Sequence, residues 1–147
     1  MIRSKSPIFV FVGLILIVCN GCEETQEKHF ANLAAAQQEH MVDKGWIPTY
    51  VSPDAKDISV EGDLDVATVN GSYMSGDASL LRMHCSSAED SFRVPGYGPN
   101  WFSDDVEQAD TAGKLRQKGY EVLRCQDGFN VVVLSSRQFV YYWSVRK

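Results

Sequence analysis

The clearest pattern of apolar and polar residues lies in the last third of the chain, where three β-rich segments follow one another. These are Tyr120–Cys125, Asn130–Leu134 and Phe139–Val145, each rich in β-branched or aromatic residues. Gln126-Asp-Gly128 and Ser135-Ser-Arg137 separate them. Since an Asp-Gly pair between two such segments is typical of a hairpin, the pattern predicts an antiparallel three-stranded meander.

Shorter elements are predicted upstream of the meander. Ile58–Val60 indicates a short strand, and alternating apolar and β-branched residues favour a second strand over Leu64–Met74. Residues 77 to 86 fit a short helix that covers the sheet, although the alternation of Leu81 and Met83 also fits a strand. Residues 91 to 119 hold several Pro and Gly, so we expect a long irregular connection with one helical turn near 104 to 108.

The first elements after the N-terminus are predicted to be a tether and a helix. Residues 22 to 28 are polar and indicate a short solvated tether. Apolar residues at roughly helical spacing, among good helix formers, predict a helix over residues 29 to 43, with Gly45 as its C-terminal cap. The expected fold is a single α+β domain over residues 29 to 147: this helix, a small, mostly antiparallel sheet ending in the meander, and one covering helix.

The extreme N-terminus has the pattern of an export signal. A charged stretch with Arg3 and Lys5 precedes an apolar run of 11 residues from Ile8 to Val18. That run is well short of the roughly 20 residues that a permanent membrane span requires. The pattern predicts a cleaved signal peptide over residues 1 to 21.

The end of that signal, LIVCNGC, resembles the signals of bacterial lipoproteins. Gly21 supplies the small residue before Cys22, whereas the competing Cys19 follows the bulky Val18. The resemblance implies that Cys22 carries fatty acids such as palmitate, and two or more acyl chains anchor a protein durably. Because Glu23 follows, the resemblance implies a cell-envelope location, in the outer membrane facing the periplasm if the source is Gram-negative.

Charge and cysteine content limit the possible partners. Removal of residues 1 to 21 changes the formal charge from −5 to −7, which argues against nucleic acid as a partner. Cys85 and Cys125 then remain in an oxidising compartment, so we expect them to form a disulfide across a separation of 40 residues. Two thiols so far apart, without a matching pair of histidines, do not resemble a zinc site.

A second resemblance covers about two thirds of the mature chain. The string GWIPTYVSPDAKDISVEGDLD, after a predicted helix, resembles a family of uncharacterised small bacterial lipoproteins and secreted proteins. This chain departs from the family at Val66-Ala67, where relatives often have Thr-Asn. The likeness implies a small α+β domain and no known activity. The matching residues are Gly45, Trp46, Ile47, Pro48, Pro53, Ala55, Ile58, Asp63, Leu64 and Asp65.

Catalytic and metal-binding patterns are weak. Glu61, Asp63 and Asp65 alternate near one turn, but the twelve-residue calcium loop with its central Gly is missing. None of the three histidines lies beside an obvious nucleophile in the sequence. We therefore expect no metal, no cofactor and no enzymatic activity.

The remaining candidate is an aromatic loop. Tyr97, Trp101 and Phe102 either pin an irregular segment onto the sheet or contact a partner, since Tyr and Trp dominate interface hot spots. We expect a lipid-anchored envelope protein that binds another protein or an envelope component. The alternative is a small envelope hydrolase or ligand-binding protein, which requires a pocket with converging polar groups.

Overall fold

The computed structural model describes residues 25–63, 68–90, 92 and 98–145. Seven strands form one sheet in the order β1-β2-β3-β7-β6-β5-β4, and every neighbouring pair is antiparallel. The strands are β1 (Thr25–Asn32), β2 (Lys56–Asp63), β3 (Thr68–Met74), β4 (Cys85–Ser87), β5 (Glu121–Cys125), β6 (Phe129–Leu134) and β7 (Phe139–Val145).

The helices are short. Within the described ranges they are α1 (Leu33–Gln38), α2 (Ser79–His84), α3 (Asp104–Glu107), α4 (Ala112–Gln117) and one 3₁₀ turn, Ser135–Arg137. None of these described helices has the length and apolar content to cross a membrane. Because one seven-stranded sheet dominates and the helices are short, the protein is a mostly β member of the α+β class.

The predicted meander is confirmed. Strands β5, β6 and β7 are sequential antiparallel neighbours, and their bounds lie within one residue of the predicted segments. Gly128 has a φ of +95°, which suits the glycine of the predicted Asp-Gly hairpin turn.

The predicted N-terminal helix over residues 29 to 43 is wrong. Residues 29 to 32 belong to β1, and the helix extends only from Leu33 to Gln38. The Asn32 side chain accepts a hydrogen bond from the Ala35 backbone N–H at 2.9 Å and so caps the helix. His40 adopts a φ of +59°, and the Met41 N–H donates to the Ala36 carbonyl, so the chain turns back. Phe30 and Met41 thus enter the same core from a strand and a turn.

The predicted tether over residues 22 to 28 also needs correction. Strand β1 begins at Thr25, and Thr25 to Lys28 pair with β2. Residues 22 to 24, with Cys22 among them, lie outside the described residues, as do the predicted signal over residues 1 to 21 and residues 64 to 67.

The region between the two halves of the sheet contains more structure than predicted. Residues 79 to 84 form α2 and residues 85 to 87 form β4, so both alternatives for this stretch occur in succession. The helical turn expected near residue 104 is α3, but α4 was not predicted. The expectation of one covering helix is therefore wrong, because several short helices and irregular segments cover the sheet.

The two faces of the sheet are covered by different segments. On the first face, Ile58, Val60, Tyr73 and Tyr142 pack with Met41, Ile47, Tyr50, Val51 and Leu81 from residues 33–55 and α2. On the second face, Val122, Val132, Tyr141 and Trp143 pack with Phe102, Val106, Ala112 and Leu115 from the segment that includes α3 and α4. Each cluster is a hydrophobic core of its own, with the sheet between them.

A glycine permits close packing at the centre of the first face. Gly71 in β3 faces Tyr142 in β7, and a Cβ added to Gly71 would lie 1.9 Å from the Tyr142 Cζ. The fully buried Tyr142 hydroxyl donates to the Trp46 carbonyl at 3.1 Å. Burial raises the pKa of Tyr142 well above its ordinary value, so this side chain remains a neutral donor.

Candidate functional site

Among the described residues, the second face of the sheet is covered over β5 to β7 and becomes increasingly exposed from β3 to β1. Exposure falls across these strands, from a largely exposed β1 through a half-buried β2 to a buried Ser72 beside the covered half. Side chains alternate between the two faces of a strand, so the residues of this area can be identified from the strand register. We call it the polar surface; in the described strands its residues are Thr25, Glu27, His29, Ala31, Ser59, Glu61, Asp63, Thr68, Asn70, Ser72 and Met74.

Three side chains of the polar surface form a continuous hydrogen-bonded chain. His29 pairs with Ser59 across the β1–β2 ladder, and its Nδ1 lies 2.8 Å from the Ser59 Oγ. The His29 Nε2 lies 2.9 Å from a carboxylate oxygen of Glu27, two residues earlier on the same strand. With the proton on Nε2, His29 donates to Glu27 and accepts from the Ser59 hydroxyl.

The charge of the polar surface is mainly negative. Glu27, Glu61 and Asp63 are its carboxylates, and Lys56 lies opposite Met74 at the end of β2. Asn70 donates to Glu61 through a long hydrogen bond of 3.4 Å. The surface therefore carries negative charge together with hydroxyl and amide groups, which suits cationic or hydrogen-bonding ligands and disfavours anions.

Ser72 is the deepest polar residue of this surface. It lies between Ser59 on β2 and Tyr141 on β7 in the ladder and is only 2% exposed. Ser72 thus lies where the exposed part of the second face meets the part that Tyr141 and its neighbours cover.

Aromatic side chains border the polar surface. Phe102 packs edge-on against Tyr141, with ring centroids 5.2 Å apart, and Trp101 packs edge-on against Phe102 at 5.0 Å. Phe102 is 5% exposed, whereas Trp101 is only partly buried. Among the described residues, the Trp101 Nε1–H is a buried donor without a hydrogen-bond partner. The arrangement fits a pinning role for Phe102 and leaves Trp101 as the candidate contact residue; Tyr97 lies outside the described residues.

The two cysteines of the predicted bridge face each other at the opposite edge of the sheet. Cys85 on β4 and Cys125 on β5 are register partners, with Sγ atoms 2.00 Å apart and Cα atoms 3.9 Å apart. Backbone hydrogen bonds from Gln126 to His84 and from Ala88 to Val122 flank this pair. Cys85 and Cys125 thus occupy a non-hydrogen-bonded position, where opposing side chains are closest.

The other two histidines serve local packing. His84 stacks on Tyr50, with ring centroids 5.1 Å apart, and the Tyr50 hydroxyl donates to Asp127 at 2.8 Å. Burial raises the pKa of Tyr50, and the Asp127 hydrogen bond raises it further, so Tyr50 stays neutral. His40 pairs with Asp43 in an exposed turn. Among the described residues, no three His, Cys, Asp or Glu side chains are grouped as a metal site would require.

The comparisons with known proteins cover the strands of the polar surface. Residues 24–74 match the YbbD head domain. The match supports a bacterial protein family for this part of the chain. It extends through β1, α1, β2 and β3, so the YbbD head match contains the polar surface, whereas the aromatic border and the cysteine pair lie beyond it. Neither a curated protein nor a solved structure matches the chain.

Sequence reasoning missed the polar surface because it placed His29 on a helix. A helical His29 would be separated from Glu27 by more than half a turn, whereas in a strand the two residues share one face. The alternation of Thr25, Glu27, His29 and Ala31 against Phe30 was the signal that could have shown this. Ser59 and Ser72 carried no signal of their own, since only the strand register brings them together.

Proposed function

We propose that the chain is a lipid-anchored protein of the cell envelope, with Cys22 as the anchor. Strand β1 begins at Thr25, only three residues after Cys22. Three extended residues reach about 10 Å, so the folded head would lie close to the membrane. Fatty-acid labelling tests the anchor: Cys22→Ser should abolish the label and leave unprocessed precursor, while Cys19→Ser should keep the label. Loss of label in Cys19→Ser alone would contradict the assignment.

The head is proposed to bind another envelope protein through the polar surface and Trp101, without catalysis. The single observation that carries this proposal is the unequal coverage of the sheet, whose second face is covered over β5 to β7 and increasingly exposed from β3 to β1 in the described strands. Strands that face water on one side are common, but this half adjoins Trp101, whose N–H is a buried donor without a partner among the described residues.

Site-specific photo-crosslinking in intact cells tests this role. A cross-linking amino acid at Asn70 should capture the same envelope protein as one at Trp101. The control position is Asp43, an exposed residue in the turn on the other side of the sheet, which should capture nothing specific. Equal capture from Asn70 and Asp43, or capture from neither Asn70 nor Trp101, would contradict the proposal.

A hydrolase is the second candidate, because Ser59, His29 and Glu27 follow the order nucleophile, base and orienting carboxylate. Against it, Ser59 lies inside β2 between two paired strands, where backbone N–H groups are engaged in the ladders rather than free to stabilise an oxyanion. Labelling with a fluorophosphonate probe distinguishes the two candidates. Labelling of the wild-type protein that Ser59→Ala and His29→Ala both abolish would favour the hydrolase. Labelling equal to that of heat-unfolded protein would favour binding.

A further inference from the structure

We infer that the bridge between Cys85 and Cys125 is a reducible latch, whose reduction by a dithiol releases β4 and uncovers the outer edge of β5. The inference is independent of the proposed binding role of the polar surface, because β4 lies at the opposite end of the strand order from β1 to β3. Three features carry it: the edge position of β4, the weak contacts of the residues around it and the accessibility of the bridge.

Strand β4 buries almost nothing of its own. It has three residues, is the last strand of the sheet and pairs with β5 alone. Ser86 and Ser87 are exposed, and Cys85 is only partly buried. Segments with few buried apolar contacts open at a low cost in free energy. The bridge is therefore the main side-chain link between β4 and the sheet.

The residues just before β4 are held no more firmly. From Arg82 to Ser87 no residue is buried, whereas Leu81 before this stretch and Ala88 after it belong to the two cores. We call residues 82–87 the latch segment. Contacts between exposed side chains are weak, so release of the latch segment leaves both cores folded. Its side-chain contacts other than the bridge are Arg82–Glu121, His84–Tyr50 and Ser87–Arg116.

The bridge lies where a reductant can reach it. Cys85 is partly exposed at the sheet edge, whereas Cys125 is buried. The two residues are directly opposed at a non-hydrogen-bonded position, and their Cα atoms are 3.9 Å apart. Most disulfides join Cα atoms about 4.4 to 6.8 Å apart, and a departure from that range makes the bond easier to reduce. Exposed bridges are likewise among the labile disulfides of proteins.

Reduction is a two-electron exchange of thiols. A thiolate of the dithiol attacks the Cys85 sulfur, the S–S bond breaks, and Cys125 leaves as a thiolate that takes up a proton. The second thiol of the reductant then attacks its own sulfur in the mixed disulfide and displaces Cys85, which is protonated in turn. The protein gains two electrons and two protons, and the reductant becomes a disulfide.

Release of the latch segment changes one edge of the sheet. In the oxidised protein β4 occupies the outer side of β5, where Ser86 pairs with Arg124 and the Gln126 N–H donates to the His84 carbonyl at 3.3 Å. After release these backbone groups face solvent. A free strand edge of this kind can accept an extended peptide segment. The bridge thus controls whether the sheet ends in a covered or an open strand.

Amide hydrogen exchange tests the latch by NMR on the full chain in a non-ionic detergent, with and without dithiothreitol. In the oxidised protein the Arg124 and Gln126 amides should exchange at least about a hundredfold more slowly than in an unstructured peptide. In the reduced protein this protection should fall below about tenfold, while the amides of β6 and β7 keep at least about a hundredfold. Cys85→Ser combined with Cys125→Ser is the matched control and should show the reduced pattern whether or not dithiothreitol is present.

The rate of reduction supplies the second measurement. Dithiothreitol should reduce the bridge of the folded protein at a rate within about tenfold of the rate in urea, because Cys85 is partly exposed. A bridge that is reduced only after unfolding in urea would overturn the inference. Protection of Arg124 and Gln126 that persists after reduction would also overturn it, since β4 would then need no bridge. Loss of protection throughout β6 and β7 would identify the bridge as a staple of the whole fold and would equally refute the latch.

Discussion

Replacement of Gly71 by Ala should destabilise the protein strongly, because the Tyr142 ring occupies the space that a side chain at position 71 requires. The added Cβ would lie 1.9 Å from Cζ and 2.2 Å from the hydroxyl oxygen of Tyr142. Normal carbon contacts are about 3.5 to 4.0 Å, so the ring or the strand must shift by roughly 1.5 to 2 Å. Tyr142 is fully buried, and this shift would disrupt its packing and its hydrogen bond to Trp46.

We expect Gly71→Ala to lower the free energy of unfolding by about 3 to 5 kcal/mol, the range seen when a large buried ring is lost. Urea unfolding followed by tryptophan fluorescence measures it. Gly76→Ala is the control, since its Cβ would meet its nearest neighbour at 3.6 Å, an ordinary contact. Tyr142→Leu should cost stability alone but should remove most of the additional cost of Gly71→Ala. A loss below about 1 kcal/mol for Gly71→Ala, or full additivity with Tyr142→Leu, would refute the reasoning.

Three further predictions concern the cysteine pair, the aromatic border and acid stability. Thiol counting on the unfolded protein should find neither Cys85 nor Cys125 free, and replacing both by Ala should lower stability by about 2 to 5 kcal/mol; two reactive thiols would exclude the bridge. Phe102→Ala should cost about 3 to 5 kcal/mol in urea unfolding, since Phe102 is 5% exposed, whereas Trp101→Ala should cost less and should reduce partner capture; the reverse order would contradict the assigned roles. Hydrogen bonds from serine hydroxyls hold the pKa of Asp54 below its ordinary value of 3.8, so its stabilisation is present above that pH and is lost as the pH falls through the depressed pKa. Asp54→Asn should therefore reduce the loss of stability below about pH 4, measured as the free energy of unfolding against pH. Wild-type and variant curves that fall in parallel would contradict this.

The meander was predictable because its signals are local. Asp127-Gly128 sets the hairpin turn, and the β-branched and aromatic residues around it suit strands whose faces are both buried. The core positions of this half, such as Val131 and Tyr142, follow directly from those strands. Sequence reasoning succeeded where turn chemistry and strand composition agree.

The N-terminal half was not predictable in the same way because local preference and tertiary pairing disagree there. Ala34 to Ala36 favour a helix, and the spacing of Phe30 and Met41 imitates helical periodicity. Pairing with β2 converts the first part into a strand, since β1 can bury Phe30 against Ile58 only in that conformation. The polar surface depends on this pairing, so it could not be found before the strand register was known.

The position of β7 has a consequence for how the chain reaches its native state during synthesis. The last strand lies in the middle of the sheet, between β3 and β6, and joins the half built from β1 to β3 to the half built from β4 to β6. A polypeptide that emerges N-terminus first cannot close either core before residues 139 to 145 have emerged. Until then two separate groups of strands expose unpaired edges at β3 and β6, which are vulnerable to aggregation and proteolysis. Chaperones would therefore act on the nearly complete chain rather than on an early folding unit.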